Sequence, residues 1–528
     1  MGPIRPLLFA TMPPEILEHI AFFASTENSF LGPPHGLIPL LTLNRRIYSA
    51  LSFSSNPHLY ARIFGSKFDF NSAVRRLGRD NLHAGALAEE LKRRSILLKR
   101  LRSRVDSIFD PSISRHERED QLNSVLWTSY FMMMENDGKN EVQLREYARI
   151  GEWLKEFWFH PDGASQAVSS VREDEWPANH ERTSLAMWLL WFTLRPDDYM
   201  ADEDVFRSAT GILKLIALGA HQYPLCYPSW CNFIPTRPSK QVSKVRHYAS
   251  DISVVAPAPA APAILAYLTL ANKLTVSWEA INYMNPLAPT VTSSVPVRNS
   301  AEWDGEWART LAVADAKIVT GNTLSGAFRP GSLQGVWEGL FTYTEFTAYA
   351  ALLSGAPPAT LQRSLVAQHR QTWKLREYHL LISDEDEDVQ PLPPGNPARG
   401  YIPLGTQVHE GPHTLELTAA GSNEPLVYQS WSNLQKSGVP IKGRVKDVFI
   451  TGEGHSAWGQ FNLVGRVRPS DGFLSLSKEY VDGDRGRWLY RGYMVGDANG
   501  NLSGRWRDTL TLPEVAGYEG CFVMSRRR

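Results

Sequence analysis

The stretch that decides the fold is Arg487-Trp488-Leu489-Tyr490-Arg491-Gly492-Tyr493-Met494-Val495-Gly496-Asp497-Ala498-Asn499-Gly500-Asn501-Leu502-Ser503-Gly504-Arg505-Trp506-Arg507. Arg487–Met494 and Leu502–Arg507 are short runs rich in aromatic and branched residues. Between them Gly496–Gly500 supplies the Gly, Asp and Asn that a tight turn needs. The stretch therefore predicts two antiparallel strands. Reading outward from it, the same texture recurs at Val336–Tyr343, Thr372–Leu381, Gly443–Ile450, Gly459–Val467, Phe473–Tyr480 and Cys521–Met524, each run bounded by Gly, Asp, Asn or Pro. About eight such strands predict a closed up-and-down, calycin-like β-barrel over residues 331–528, because closure removes the exposed edges of an open sheet.

Glycine beside aromatics supports closure: Gly335-Val336-Trp337-Glu338-Gly339, Trp458-Gly459, Trp488 with Gly492, and Gly504-Arg505-Trp506. Glycine permits the sharp coiling of barrel strands, and the indoles fill a floor. The pocket candidates are Trp337, Trp373, Arg376, Trp458 and Trp506, with Tyr378 and Tyr490 beside them. Alternation puts Trp337 with Gly335 and Gly339, and Trp373 with Leu375 and Glu377. It sends Arg376 and Tyr378 to the opposite face. An Arg inside the barrel would be the more telling feature, since a lone buried charge calls for an anionic partner or ligand. A segment at 343–358 reads as a short capping helix, and Asp384–Asp388, five acidic residues in a row, as a solvated loop.

Upstream of Arg329-Pro330-Gly331 the periodicity changes to helical. Leu87, Leu91, Leu98, Leu101 and Val105 share one face, Leu122, Leu126 and Tyr130 another, and Leu185, Trp188 and Phe192 a third. Residues 71–330 therefore predict a helical linker domain. The run Ala256–Ala263 reads as a stiff Ala-Pro connector, and Asn285–Ser300 as an irregular loop.

The first 70 residues predict a separate small helical module. Met12-Pro13-Pro14-Glu15 opens a helix carrying Ile16, Leu17, Ile20 and Phe23, with proline at a first turn where its missing N–H costs little. A Ser/Gly/Pro loop spans Ser25–Pro34. A second helix carries Leu40, Leu41, Leu43 and Ile47, and Pro57 starts a third through Leu59, Tyr60, Ile63 and Phe64. The whole is an α+β multidomain chain.

Composition narrows the function. In 528 residues there are 55 basic and 55 acidic side chains, so general nucleic-acid binding is disfavoured. The 43% hydrophobic fraction and 16 Trp suffice to build cores. Three cysteines, Cys226, Cys231 and Cys521, form neither a disulfide framework nor a zinc ribbon, and read as buried apolar residues in a reducing compartment. The apolar stretch Leu7–Ala10 is too short for a signal peptide, and no run spans a membrane, which predicts a soluble protein of the cytoplasm or nucleus with neither cofactor nor metal.

Several motifs are set aside. Gly452-Glu453-Gly454-His455-Ser456-Ala457 resembles part of a dinucleotide fingerprint or a nucleophile elbow, but the run Trp458–Val464 reads as a strand where both motifs require a helix. His116-Glu117-Arg118-Glu119-Asp120 lacks the second His of a zinc-protease helix. The basic stretch 92–104 reads as the solvated face of an amphipathic helix. No catalytic residue stands out, so the chain reads as non-catalytic.

The N-terminal pattern resembles the F-box. The matching residues are Met12, Pro13, Glu15, Ile16, Leu17 and Ile20, then Leu40, Leu41, Leu43, Arg45, Arg46, Ile47 and Tyr48, followed by Asn56-Pro57-His58-Leu59-Tyr60. Met12 stands where the family has Leu, and Ile47-Tyr48 where it has Trp. The rest of the chain is similar to large F-box proteins of mushroom-forming fungi. The resemblance implies docking to a Skp-like adaptor protein, and through it to a cullin–RING ubiquitin ligase. The contacts would come from Pro13, Ile16, Leu17, Ile20, Leu40, Leu41 and Leu43. It also implies that the C-terminal barrel reads a protein client. The alternative is a barrel that binds a small apolar ligand, or a barrel enzyme, with structural N-terminal helices.

Overall fold

The computed structural model describes residues 12–27, 30–112, 114–275, 299–382, 389–438, 441, 443–483, 485–497 and 500–527. The stretch Leu7–Ala10, most of the 285–300 loop, the acidic run 384–388 and the centre of the 496–500 turn lie outside them. Backbone packing divides the chain into two compact units. One is Met1–Phe157 with Lys244–Ile252, the other Trp158–Ser243 with Ser253–Arg528. These limits differ from the 70 and 330 suggested by the change in texture.

In the first unit, α1 (Pro14–Thr26), α2 (Leu37–Leu41), α3 (Arg45–Leu51), α4 (Pro57–Lys67), α5 (Asn71–Leu77), α6 (Ala84–Ser103) and α7 (Arg115–Met134) follow in order. Pro14 opens α1 and Pro57 opens α4, both at first-turn positions. The expected second helix is broken in two. Asn44 takes extended backbone and accepts the Ile47 N–H, so Leu43 sits in the break and α3 starts afresh. Asn56 caps α4 through Leu59 N, and its amide donates to Glu18 Oε1 of α1 at 2.7 Å. One side chain therefore stops a helix end and ties two helices together. The hairpin β1 (Ser243–His247) and β2 (Ser250–Val254) sends Lys244–Ile252 into this unit. There Arg94 of α6 is fully buried, 2.8 Å from Glu90 and 2.6 Å from Glu135, with His247 Nε2 2.9 Å from the same Glu135.

The second unit is organised around a closed antiparallel barrel. Its strands are β3 (Gly335–Thr344), β4 (Val366–Leu381), β8 (Val445–Ser456), β9 (Gly459–Val467), β10 (Leu474–Tyr480), β11 (Arg487–Val495), β12 (Asn501–Asp508) and β13 (Glu519–Arg526). Each pairs with the next, and β13 closes on β3. This is the expected up-and-down barrel. A three-stranded excursion not anticipated from the sequence, β5 (Gln407–Glu410), β6 (Thr414–Thr418) and β7 (Leu426–Ser430), extends from β4 through β7.

The inward glycines explain the tight coiling. A Cβ on Gly465 would sit 1.9 Å from Ser475 O, and one on Gly504 1.9 Å from Arg491 O, so only glycine lets the neighbouring strands approach this closely. The helices Glu203–Leu218 and Ala260–Thr275 pack against one another and against the barrel wall. The second begins inside the Ala-Pro run, which corrects the reading of that run as a connector. Proline is tolerated there because the first turn has no N–H to lose.

The barrel has two unlike ends. At one, Phe328 and Leu333 of the segment entering β3 join the interior core. Glu377 fixes that segment: its carboxylate accepts the backbone N–H groups of Gly331 at 2.6 Å, Gln334 at 2.9 Å, and Leu333. At the other end lie the β8–β9 turn with Trp458 and the β10–β11 and β12–β13 connections, where Val481 and Leu510 are exposed.

Candidate functional site

The motif residues near the amino end separate into two faces of α1. Leu17, Ala21 and Ser25, four residues apart, are buried. Ile16 and Phe23 are exposed by almost half their surface, and Ile20 is half-buried between them. From the next segments Ile38, Leu43 and Tyr48 are each more than half exposed, with Leu40 and Leu41 half-buried and Pro13 exposed. The core beneath is made by Leu37, Ile47 and Leu51. The expectation that Leu17 belongs to the contact surface is corrected: at 2% exposure it is core.

In the barrel, Trp337, Trp373 and Trp506 all point inward and pack with Phe341, Phe461, Tyr490 and Phe522 in one core. The indole N–H of Trp337 donates to Leu333 O, and that of Trp506 to Thr342 O. These tryptophans fill the interior. Arg376 is not in a pocket. It lies on the outer wall, where its Nη2 donates to both oxygens of Glu453, at 3.1 and 3.0 Å. Trp458 sits at the rim on the β8–β9 turn, edge-on to Phe341 at 5.1 Å and 5.1 Å from the His369 ring.

The interior arginine sought in the sequence is replaced by a lysine without an acid partner among the described residues, Lys478. Register places it between Leu463 of β9 and Trp488 of β11, and alternation puts it on the same face as Leu474, Leu476 and Tyr480. It is 1% exposed. Its Nζ lies 3.8 Å from the ring centre of Phe461, 5.0 Å from Tyr480, 5.1 Å from Tyr490 and 5.4 Å from Phe341. Its hydrogen-bond partner among the described residues is Gln371 Oε1, at 3.5 Å. Burial pushes the amine down to about 7. Sequence reasoning missed this residue, although the alternation in Leu474-Ser475-Leu476-Ser477-Lys478-Glu479-Tyr480 carries the signal.

The outer faces of β3, β4, β8 and β9 line an open trough of about 530 Å³ with Val336, Thr372, Lys374, Glu453, His455 and Gln460. The Gly452–Ala457 segment is strand and hairpin turn, with no helix after it, so neither phosphate nor nucleophile chemistry has a platform there. His116 is fully solvated on α7 and pairs with Asp120. In the basic stretch, Arg100 and Arg104 pair with Asp106 and Glu156, which is the helix-surface reading, whereas Arg94 is core. Among the described residues no helix is long and apolar enough to cross a membrane, and no cluster of acids, His and Cys could hold a metal ion. Comparison with family models, curated proteins and solved structures returns no match to this chain.

Proposed function

We propose that this protein is the substrate-recognition adaptor of a Skp-cullin-F-box type ubiquitin ligase. The observation that carries the reading is the outward apolar stripe of α1–α3. Pro13, Ile16 and Leu43, at F-box motif positions, are exposed, as are Phe23, Ile38 and Tyr48, while Leu17, Leu37, Ile47 and Leu51 belong to the core. Burying this stripe under a helix of a Skp-like adaptor would remove exposed apolar surface at about 25 cal/mol per Å². The barrel unit would then hold the client on its outer wall, where the trough along β4, β8 and β9 lies open. Such a protein works by proximity, raising the effective concentration of a client near the charged ubiquitin, and needs no catalytic residues.

The test is co-purification of the full chain with a purified Skp adaptor, comparing wild type with Ile16→Asp and Leu43→Asp. Both positions are solvent-facing, so recovery should fall at least about tenfold with no change in thermal midpoint. Equal recovery would end the adaptor reading. Leu17→Asp is a poor probe because it buries a charge in the core of α1. A second reading of the barrel, as a receptor for a small apolar molecule, is favoured by one observation: an interior amine whose partner among the described residues is an amide and not a carboxylate.

A further inference from the structure

Lys478 carries an amine held where solvent cannot reach it. Its Nζ faces one amide oxygen at the far limit of hydrogen bonding. The surrounding rings offset part of the lost hydration, and no acid completes the site among the described residues. The other polar groups facing it can all donate. Gln371 Nε2 points at Met524 Sδ, a weak acceptor, 3.6 Å away. The Tyr490 hydroxyl meets Gln371, and the Tyr480 hydroxyl lies 3.5 Å from Ser456 Oγ. An amine, an amide, two phenols and a serine, with no carboxylate among them, make a donor set suited to a small anion.

The rim above the amine is aromatic. Trp458, 37% exposed on its turn, rests on Phe341, and Phe341 is the ring beneath which Lys478 lies. His369 flanks both rings. Such walls favour a flat body over a flexible chain.

We propose that this end of the barrel receives a flat apolar monocarboxylic acid, an aryl carboxylate, whose anionic end pairs with Lys478 and whose ring takes the place of Trp458 against Phe341. This rests on the receptor reading of the barrel and is independent of the adaptor role. A change in protonation accompanies it. The titratable groups facing the amine are Tyr480 of its own strand, Tyr490 of β11 and, past Phe341, His369 of β4. Burial holds both tyrosines above their ordinary range, so they stay neutral donors. The arriving anion restores the proton that burial drove off Lys478, and binding in mildly alkaline solution takes up about one proton.

The experiment is calorimetric titration of the full chain with 2-naphthoate and with 2-naphthylmethanol, its uncharged counterpart, near pH 8.5 in buffers of different ionisation enthalpy. The acid should bind at least about tenfold more tightly than the alcohol, with proton uptake. Lys478→Met should bind the two alike, take up no proton and unfold no earlier than wild type. Trp458→Ala, a change at a partly exposed turn, should keep the preference for the acid and speed its association. Equal affinity of wild type for acid and alcohol overturns the acid inference and leaves the receptor reading standing. Binding of neither overturns both. Wild-type affinity for naphthoate in Lys478→Met removes the role of the amine.

Discussion

The two faces of one barrel wall treat buried cations in opposite ways. On the outer face, Arg466 of β9 lies 2.8 Å from Asp447 and donates to the carbonyls of Leu392, Pro393 and Tyr401. Arg468 lies 2.6 Å from Asp471 and donates to Ser229 O and Asn232 O, each at 3.0 Å. Arg491 pairs with Glu519 at 2.8 Å under the Trp230 ring. Arg505 makes no ion pair among the described residues, but it donates to Ile216 O and Ala217 O at the end of the Glu203–Leu218 helix, and to Tyr223 O. On the inner face Lys478 has one distant amide oxygen. The outer arginines fasten covering segments to the wall, and their fivefold fork satisfies several acceptors at once. A charge with its acceptors complete is a fastener; a charge without them is available for a ligand.

The strongest way to break this contrast is to make an outer cation resemble the inner one. Asp471→Ala leaves Arg468 buried without its acid and also removes the acceptor of the Tyr493 hydroxyl at 2.6 Å. We expect a loss of about 4 kcal/mol, measured by urea unfolding. A loss near that of an exposed pair would mean that Arg468 finds other partners at no cost. Next in size is Arg505→Met. It strips the cap from the negative end of the Glu203–Leu218 helix and leaves buried carbonyls without a donor, which should cost about 3 kcal/mol. Hydrogen exchange should loosen the last turn of that helix before the barrel strands. Uniform loosening would count against a capping role.

This fastening could not be read in the sequence. Arg505 and the carbonyl of Ile216 are 289 positions apart, and no local pattern connects them. The legible part was whatever depends on alternation and turn chemistry: the barrel strands, and the outward direction of Arg376 and Tyr378 relative to Trp373. The end of β8 was not, since the glycines of Gly452–Ala457 read as a turn where the strand runs on to Ser456. The excursion β5–β7 escaped because its strands have only four or five residues and β5 is exposed throughout; only Leu415 and Leu417 of β6 alternate, too short a run to mark a sheet. The break between α2 and α3 was written in Asn44, but the surrounding leucines carried the helical reading across it. The helices that carry the N-terminal motif were legible. Which of their apolar residues faces outward was not, since Ile16 and Leu17 differ by one position and only packing assigns the core to Leu17.

The inner cation predicts the opposite sign. Replacing a buried, incompletely partnered amine by a side chain of similar length and no charge should stabilise the fold, so Lys478→Met should gain about 2 kcal/mol in neutral solution, less what the aromatic cage supplied. The pH dependence sharpens this. The folded amine sits near 7 and an unfolded lysine at its ordinary value of 10.5, so between them the unfolded chain holds a proton that the folded one has lost. Stability of the wild type therefore rises through that window by up to about 1.4 kcal/mol per pH unit, and the advantage of Lys478→Met shrinks as pH rises. Below the folded value both states are protonated and the difference is flat. Thermal midpoints of the two proteins across this range test it. A variant less stable than wild type would make Lys478 one more fastener.

The smallest effect belongs to Arg376, the residue that alternation turns away from the interior. Like Arg466, Arg468 and Arg491 it meets an acid, Glu453, and it differs from them in being about a third exposed. Water screens such a pair, and two long side chains must be ordered to make it. Arg376→Ala should therefore cost about 0.5 kcal/mol or less, and the loss should shrink in high salt, where buried pairs such as Arg468–Asp471 barely respond. Burial, rather than the number of hydrogen bonds drawn, then separates a structural cation from a surface one. A loss for Arg376→Ala as large as that for Asp471→Ala would refute the distinction.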